Sequence, residues 1–581
     1  MEKLLTHWEV KKEDIKFALI YPNLYYLGMS NLGFQSIYYE LNRRSDTYCD
    51  RLFLNDSAQL NEKSFIANFA HNSSVTHHSS LLSSFETQRD LKEFDILGFS
   101  ISFENDYFNI PKILNLAKIP PKASLRAENY PLVIAGGISI SYNPEPLADF
   151  VDAFVIGEAE INIHNLLSTY KVWTENHLPK QALLKELAQL DGIYVPSFYD
   201  IEYNSDGTVK YIRTKGQGGK KDEAPAKIKA SVIENIDDIE TSSKILTGNT
   251  EFANTYLIEI ARGCGRQCRF CVADYARRPP RYRSLQNTIQ LAKQAQGHTN
   301  RIGLLGAAVS DHPQIDEIAQ NLVKLKFRLS CSSLRVETVR PPLLDALAES
   351  GQNTITIAPE VATERLQKVI NKPVEISQLH YVFEEALKRN ISNIKLYFMI
   401  GVPSETQTDI EAIVEMVSGL RSIMLPYAKK HKRMGKLACA ISPFVPKPHT
   451  PFQWSQMEDA KEKLNFLKHH LNQLGSVQMS STSARLANME GVLARGDRRL
   501  GPVIYDVAIN GLTWNKALRK HGIDGNFYTQ RERMFNEVLP WSHIDLGVNE
   551  EYLQSEYAKS RKAILTSPCQ IGVCKKCGAC R

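Results

Sequence analysis

Hydrophobic positions along this chain switch between a strand period and a helix period. The run DIKFALIYPN (14–23) is nearly continuous in apolar residues, as in a strand buried on both faces. GMSNLGFQSIYYELNRR follows it, with Leu32, Ile37 and Leu41 on one side at helical spacing. DILGFSI, PLVIAGG and FVDAFVIGEAE repeat the strand pattern, with a helix around IPKILNLAKI. Strands that end in glycine and feed helices predict right-handed βαβ units on a parallel sheet. A doubly wound α/β domain is therefore expected over about residues 12–170.

Residues 171–250 read as a β-hairpin and linker. GIYVPSFYDIEYNSDGTVKYIRTK carries Asp206-Gly207 at a hairpin turn, and KGQGGKKDEAPAKIK has the composition of a linker. A second βα series then runs through TYLIEIARGC, RIGLLGAA, RLSCSSLRV, TITIAPE, IKLYFMIGVP and KLACAISPFVP, with amphipathic helices such as TERLQKVINK between them. Six such units predict a partial (β/α)6 barrel over 251–455, followed by a helical region (456–565) and a cysteine-rich tail (566–581).

The 581 residues exceed one hydrophobic core, which agrees with several domains. No run approaches the roughly 20 apolar residues of a membrane span, and charges interrupt the N-terminus where a signal peptide is apolar. These features predict a cytoplasmic protein. A net charge of +6 does not by itself indicate nucleic-acid binding.

Seven of the ten cysteines fall into two groups, Cys264, Cys268 and Cys271, then Cys569, Cys574, Cys577 and Cys580. Such grouping in a cytosolic chain indicates metal ligation rather than disulfides. Cys49, Cys331 and Cys439 sit among apolar neighbours and read as small buried residues. The first group, Cys264-Gly-Arg-Gln-Cys268-Arg-Phe-Cys271, directly follows a strand. A 4Fe–4S cubane takes one thiolate per iron, so three cysteines leave one iron open to a substrate. Zinc would want a fourth ligand, which this loop lacks. Gly263 and Gly265 allow the loop to wrap a cluster.

This CxxxCxxC segment, with an aromatic at Phe270, resembles the signature of the radical S-adenosylmethionine (SAM) superfamily. TIAPEVATERLQKVINK, KLYFMIGVPSET and ISPFVPKPHTPFQW are similar to segments of the branch that includes methylthiotransferases and cobalamin-type radical enzymes. The resemblance implies that the open iron chelates SAM, whose reductive cleavage releases a 5′-deoxyadenosyl radical. It also implies a reducing donor such as flavodoxin or ferredoxin. By position, Phe270, Glu360 and Gly401 fall at the cofactor-binding site, with Glu360 on the ribose hydroxyls and Gly401 beside the adenine. Leu305-Gly306-Ala307-Ala308 replaces the family's Gly-Gly-Glu, leaving the methionine amine to backbone carbonyls or another side chain.

YPNLYYLGMSNLGFQSIY, DILGFSISFENDY and VIAGGISISYNPEPLADFVDAFVIGEAE resemble a cobalamin-binding domain, in which Ser100, Gly136 and Gly137 would let a macrocycle approach the strand ends. The Asp-x-His-x-x-Gly loop that ligates cobalt from below is absent, and Asn23, Tyr25 and Gly28 stand there instead. His71, His77 and His78 lie outside that loop in a polar stretch and read as solvent-facing. The domain is expected either to hold cobalamin without a lower protein ligand or to keep the fold without the cofactor.

Cys569-x4-Cys574-x2-Cys577-x2-Cys580 supplies four thiolates, the full set for a second 4Fe–4S cluster, with zinc as the alternative. Such a site would relay electrons or stabilise structure. Arg262, Arg266, Arg269, Arg277, Arg278, Arg281 and Arg283 crowd the first cysteine loop and suit an anionic substrate, the SAM carboxylate or an acidic donor. Lys429–Arg433 reads as a solvated helix end, and His312 and His449 as structural rather than proton-transferring. Three functions follow: a radical enzyme acting on an unactivated carbon, including cobalamin-assisted methyl transfer; an RNA-modifying radical enzyme; or a non-catalytic two-cluster electron carrier. The substrate, whether small molecule, lipid, peptide or RNA, stays open.

Overall fold

The computed structural model describes residues 2–5, 15–54, 82–215, 224–331 and 334–580. His71, His77, His78 and residues 216–223 of the linker lie outside them.

The first sheet has the order β2-β1-β3-β4-β5-β6, formed by β1 (Ile15–Leu24), β2 (Thr47–Leu54), β3 (Ile96–Ser100), β4 (Leu132–Gly136), β5 (Ala153–Val155) and β6 (Ile193–Tyr194). The first five are parallel and β6 is an antiparallel edge. Strand order reverses between β1 and β3, which opens a crevice outside the carboxyl ends of the strands. Phe17, Ala18, Leu19 and Ile20 are all buried, which explains the unbroken apolar run of β1. Helix α1 (Leu32–Asn42) begins at Asn31, whose side chain accepts the Phe34 N–H.

The hairpin at Asp206-Gly207 is present as β7 (Tyr199–Tyr203) and β8 (Val209–Thr214). Beyond the linker, Ile228–Lys229 runs parallel to Ile544–Asp545, which ties this connection to the C-terminal region.

The six expected barrel strands are β9 (Tyr256–Glu259), β10 (Arg301–Leu305), β11 (Arg328–Cys331), β12 (Thr354–Glu360), β13 (Asn393–Ile400) and β14 (Leu437–Pro443). A seventh, β15 (Val477–Ser481), pairs parallel with β14 inside the stretch that reads as helical. Its sequence, VQMSS, is short and largely solvent-facing, so no apolar run betrays it. The strands form sheets of three and four, joined by a bridge between Leu334 and Ile357.

The C-terminal helices contact both earlier units. Val492, Leu493 and Trp514 enter the core of the first domain, and Trp541 and Tyr557 pack with Phe444, Phe452 and Trp454 from beyond β14. Cys49 and Cys439 are buried as expected, and Cys331 is half-buried at the end of β11.

Candidate active site

The first cysteine loop leaves β9 and is closed by a two-residue antiparallel pairing of Ala261–Arg262 with Arg281–Tyr282. Gly263 has φ +77°, and a Cβ there would lie 2.2 Å from the Arg277 carbonyl oxygen. Only glycine fits that crossing. Asp274, fully enclosed, accepts the Gln267 N–H at 2.6 Å and the Arg278 Nε at 3.1 Å. These bonds fix the turn that carries Cys264, Cys268 and Cys271.

The three thiols are partly or fully buried. Burial pushes the Cys271 thiol up to about 12 and raises Cys264 and Cys268 as well. For Cys268 the positive charges of Arg335 and Lys372 pull the other way, and Arg335 Nη1 lies 4.0 Å from its sulfur. Among the described residues no three His, Cys, Asp or Glu side chains converge as ligands of one ion. A cubane takes one thiolate per iron, so its cysteines surround a body rather than a point. Three thiols in a closed, cation-flanked loop fit that demand, and coordination deprotonates a thiol whatever its metal-free pKa.

Glu360 ends β12 at φ +68°, and its Oε1 accepts from Lys372 Nζ at 2.9 Å. Lys372 thus joins Glu360 to the neighbourhood of Cys268 and Cys271, whose thiols feel its charge. Gly401 follows β13 at φ +79° and donates its N–H to Glu405 at 2.8 Å. It lines a small cavity of about 80 Å³ with Ser404, Ser455, Glu458 and Tyr557. Phe270 packs against the apolar group around Val361, Phe452 and Trp454. Lys372 ends the segment TIAPEVATERLQKVINK, but nothing in the sequence ties it or Arg335 to the cysteine loop, and only the fold brings them there.

The loop arginines are engaged internally, not offered to an anion. Arg262 meets Glu160 and Glu259 at 2.7 Å each, Arg266 grips Asp311 at 2.7 and 2.9 Å, and Arg278 meets Asp274. Arg281 donates to both oxygens of Glu158 at 2.8 and 2.9 Å, with Arg262 and Arg277 at 3.2 and 3.6 Å from the same carboxylate. Arg283 is fully buried and donates to the Glu259 and Ile239 carbonyls. In sequence only Asp274 lies among them and Glu259 just before them, and Glu158, Glu160 and Asp311 arrive from distant segments. His312 is also structural: its Nε2 bonds the Arg283 carbonyl at 2.8 Å, and burial lowers its pKa. Burial takes His449 down to about 3.

The second cysteine group docks on the first. Cys569 donates its N–H to the Gly265 carbonyl at 2.7 Å, and a Cβ on Gly265 would stand 3.2 Å from the Cys569 Cβ. Gln267 Nε2 reaches the Ser567 carbonyl at 2.5 Å, and Asn371 exchanges bonds with Thr566 at 2.8 and 3.1 Å. Arg269, fully buried, pairs with Glu556 at 3.1 Å and donates to the Ile564 carbonyl at 2.7 Å. Cys577 accepts at its carbonyl from Asn549, which precedes helix α2 (Glu550–Arg561).

A cavity of about 470 Å³ lies between the carboxyl ends of the first sheet and the barrel. Gly98, Ser100, Gly136 and Gly157 line the sheet side, and Gly263, Ala273, Leu305 and Gly306 the barrel side. Among the described residues no histidine lines it. Gly137 is glycine for another reason: at φ +117° its Cβ would strike the Ile101 carbonyl at 2.1 Å. Asn23 Nδ2 is spent on Asp106 at 2.7 Å, Tyr25 on Glu2, and Phe53 fills the space beside Gly28. The end of β1 and the short helix after it (Tyr25–Met29) therefore contribute none of these three to the cavity, whereas Asn31 and Gly33 do line it.

Comparison with known proteins places this geometry. Residues 258–417 match the family model described as radical SAM superfamily, and residues 33–196 that described as radical SAM proteins, N-terminal. An uncharacterised protein of Methanocaldococcus jannaschii is 27% identical over 510 residues, covering 87% of this chain and 93% of that protein. A tRNA-2-methylthio-N(6)-dimethylallyladenosine synthase of Anaplasma phagocytophilum is 24% identical over 292 residues, 48% of this chain and 57% of that enzyme. Among solved structures, the cobalamin-dependent SAM radical enzyme OxsB, with aquacobalamin and SAM bound, aligns at TM-score 0.48 and 12% identity, covering 94% and 79% of the two chains. TsrM from Kitasatospora setae, a radical SAM methyltransferase, aligns at TM-score 0.43 and 12% identity, covering 73% and 72%.

Proposed function

For a chain that belongs to the radical SAM superfamily, we propose a transferase-type reaction at an unactivated carbon, with cobalamin held between the first sheet and the barrel. The observation that carries this reading is the 470 Å³ cavity, which runs from the small residues at the sheet's carboxyl ends to Gly263 at the first cysteine loop. Ligands of doubly wound sheets bind in that crevice. Gly98, Ser100, Gly136 and Gly157 would hold the macrocycle, and the lining among the described residues offers it no imidazole.

Cys264, Cys268 and Cys271 would hold a 4Fe–4S cluster, which supplies the electron that cleaves SAM reductively. Around it, Arg335 and Lys372 keep positive charge beside Cys268, and Glu360 presents a carboxylate already oriented by Lys372. Gly401 leaves room for a flat base where a side chain would project. Cys569, Cys574, Cys577 and Cys580 would hold a second 4Fe–4S cluster rather than zinc, because their overlapping CxxCxxC spacing lacks the long loop between two zinc-binding pairs. The internal pairing of the loop arginines removes the residues that favoured RNA. No helix among the described residues is long and apolar enough to cross a membrane, and we place the protein in the cytoplasm.

The test is metal stoichiometry after anaerobic reconstitution with iron, sulfide and hydroxocobalamin. Cobalt bound in proportion to protein, with a corrinoid absorption spectrum that survives gel filtration, supports the reading. Full iron loading without cobalt sinks the cobalamin part and leaves the radical SAM assignment standing.

A further inference from the structure

We propose that the outer face of the cysteine-rich tail is the docking surface for an acidic one-electron donor protein. This rests on the reading above that the tail holds an iron–sulfur centre. Three observations support it.

The first is place. The tail bonds directly to the radical-cluster loop through Cys569 and Gly265, and Gln267, Arg269 and Asn371 all reach across to it. Cys268 beneath is buried. A donor that meets the protein here therefore stands over the centre it must reduce.

The second is charge. From residue 557 to 581 the sequence holds six basic residues, Lys559, Arg561, Lys562, Lys575, Lys576 and Arg581, and no acid. That equals the net +6 of the whole chain. Lys559 and Arg561 pair with Glu556 and Glu532. Lys575 and Lys576, set between Cys574 and Cys577, are exposed and have no carboxylate partner among the described residues. The arginines of the radical loop are neutralised internally, so the tail lysines are the cations near the two cysteine groups that remain for a partner.

The third is the apolar surface beside them. Ile571 is 47% and Val573 74% exposed. Large apolar side chains left in water next to unpaired cations form the pattern of a transient interface, in which charge steers the encounter and a small apolar centre holds it. Free RNA would meet the charge but has no use for the valine. In the transfer itself the donor loses one electron and the iron–sulfur centre gains it, and no bond is made or broken.

The experiment uses the full reconstituted chain and an acidic flavodoxin as probe. Calorimetric titration of flavodoxin into wild type and into Lys575→Glu/Lys576→Glu, with every cysteine intact, reads binding without catalysis. The expected result is about tenfold weaker binding in the variant, and wild-type binding that weakens steeply with salt. Val573→Ser should weaken binding with the salt dependence unchanged. Cleavage of SAM to 5′-deoxyadenosine is measured beside it with dithionite and with reduced flavodoxin. The variant should match wild type with dithionite and fall about tenfold with flavodoxin. Equal flavodoxin affinity in the two proteins overturns the proposal. So does a single-stranded RNA oligomer that binds as tightly and loses as much in the variant. Failure of dithionite to yield 5′-deoxyadenosine in wild type refutes the radical SAM chemistry instead, and the binding measurement stands apart from it.

Discussion

Replacing Glu158 by alanine removes the acceptor on which three guanidinium groups from the cluster loop converge. Its side chain is 1% exposed and receives Arg281 at 2.8 and 2.9 Å, Arg262 at 3.2 Å, Arg277 at 3.6 Å and the Ile233 N–H at 2.8 Å. Arg262 keeps Glu160 and Glu259 after the change, so its charge stays compensated. Arg281 keeps only carbonyl oxygens, those of Pro279, Ile233 and Arg277. Stranding one buried charge costs about 3–5 kcal/mol, the loss expected for Glu158→Ala at pH 7. Glu158→Gln keeps an acceptor oxygen and should lose about 2 kcal/mol. Burial pushes the Glu158 carboxyl up, but Arg262, Arg281 and Arg277 together hold it below the ordinary glutamate value. Its contribution is then complete above the unfolded pKa of about 4.3 and disappears as pH falls through the lower folded value. Urea unfolding followed by tryptophan fluorescence at pH 7 and pH 3 measures both effects. A loss below about 1 kcal/mol at pH 7, or an equal loss at pH 3, refutes the reasoning.

Gly263→Ala forces a methyl onto the Arg277 carbonyl and should cost about 1–3 kcal/mol and empty the first iron site, read as loss of about half the iron while the tail keeps its share. Glu360→Gln should raise the KM for SAM without changing iron content, and an unchanged KM excludes ribose binding there. Asp106, whose pKa burial lifts to about 7, binds its proton more tightly folded than unfolded; the stability this gives is whole below pH 4 and is lost as pH rises through 7. Asp106→Asn should therefore gain on wild type between pH 5 and pH 8, by no more than about 4 kcal/mol, in the same unfolding assay. A flat difference across that range counts against a buried, neutral Asp106.

Much of the scaffold is legible because its signals are local. The apolar run of β1 and the glycine-ended strands announce a parallel sheet, and the expectation of a cluster at Cys264, Cys268 and Cys271 rests on spacing alone. The seventh barrel strand escapes because Val477 is its only buried residue, and pairing with β14 defines it. The loop arginines mislead for a related reason. Between Arg262 and Arg283 the sequence shows seven cations and one acid, with Glu259 just before them, whereas folding brings Glu158, Glu160, Asp311 and Glu556 to them across roughly 45 to 290 positions. Lys372 ends the family-like segment TIAPEVATERLQKVINK, but nothing local ties it or Arg335 to Cys268, and only folding brings them there.

The bond from Cys569 to Gly265 also sets an order of assembly. Cys569 follows Cys271 by 298 residues, so at about 5–20 residues per second the ribosome makes the tail roughly 15–60 s after the loop it will cover. Through that interval the loop that carries the three thiols lacks the tail that docks on it. A chain that stops before Cys569 keeps every strand of the barrel yet loses the bond by which the tail covers the first cysteine loop.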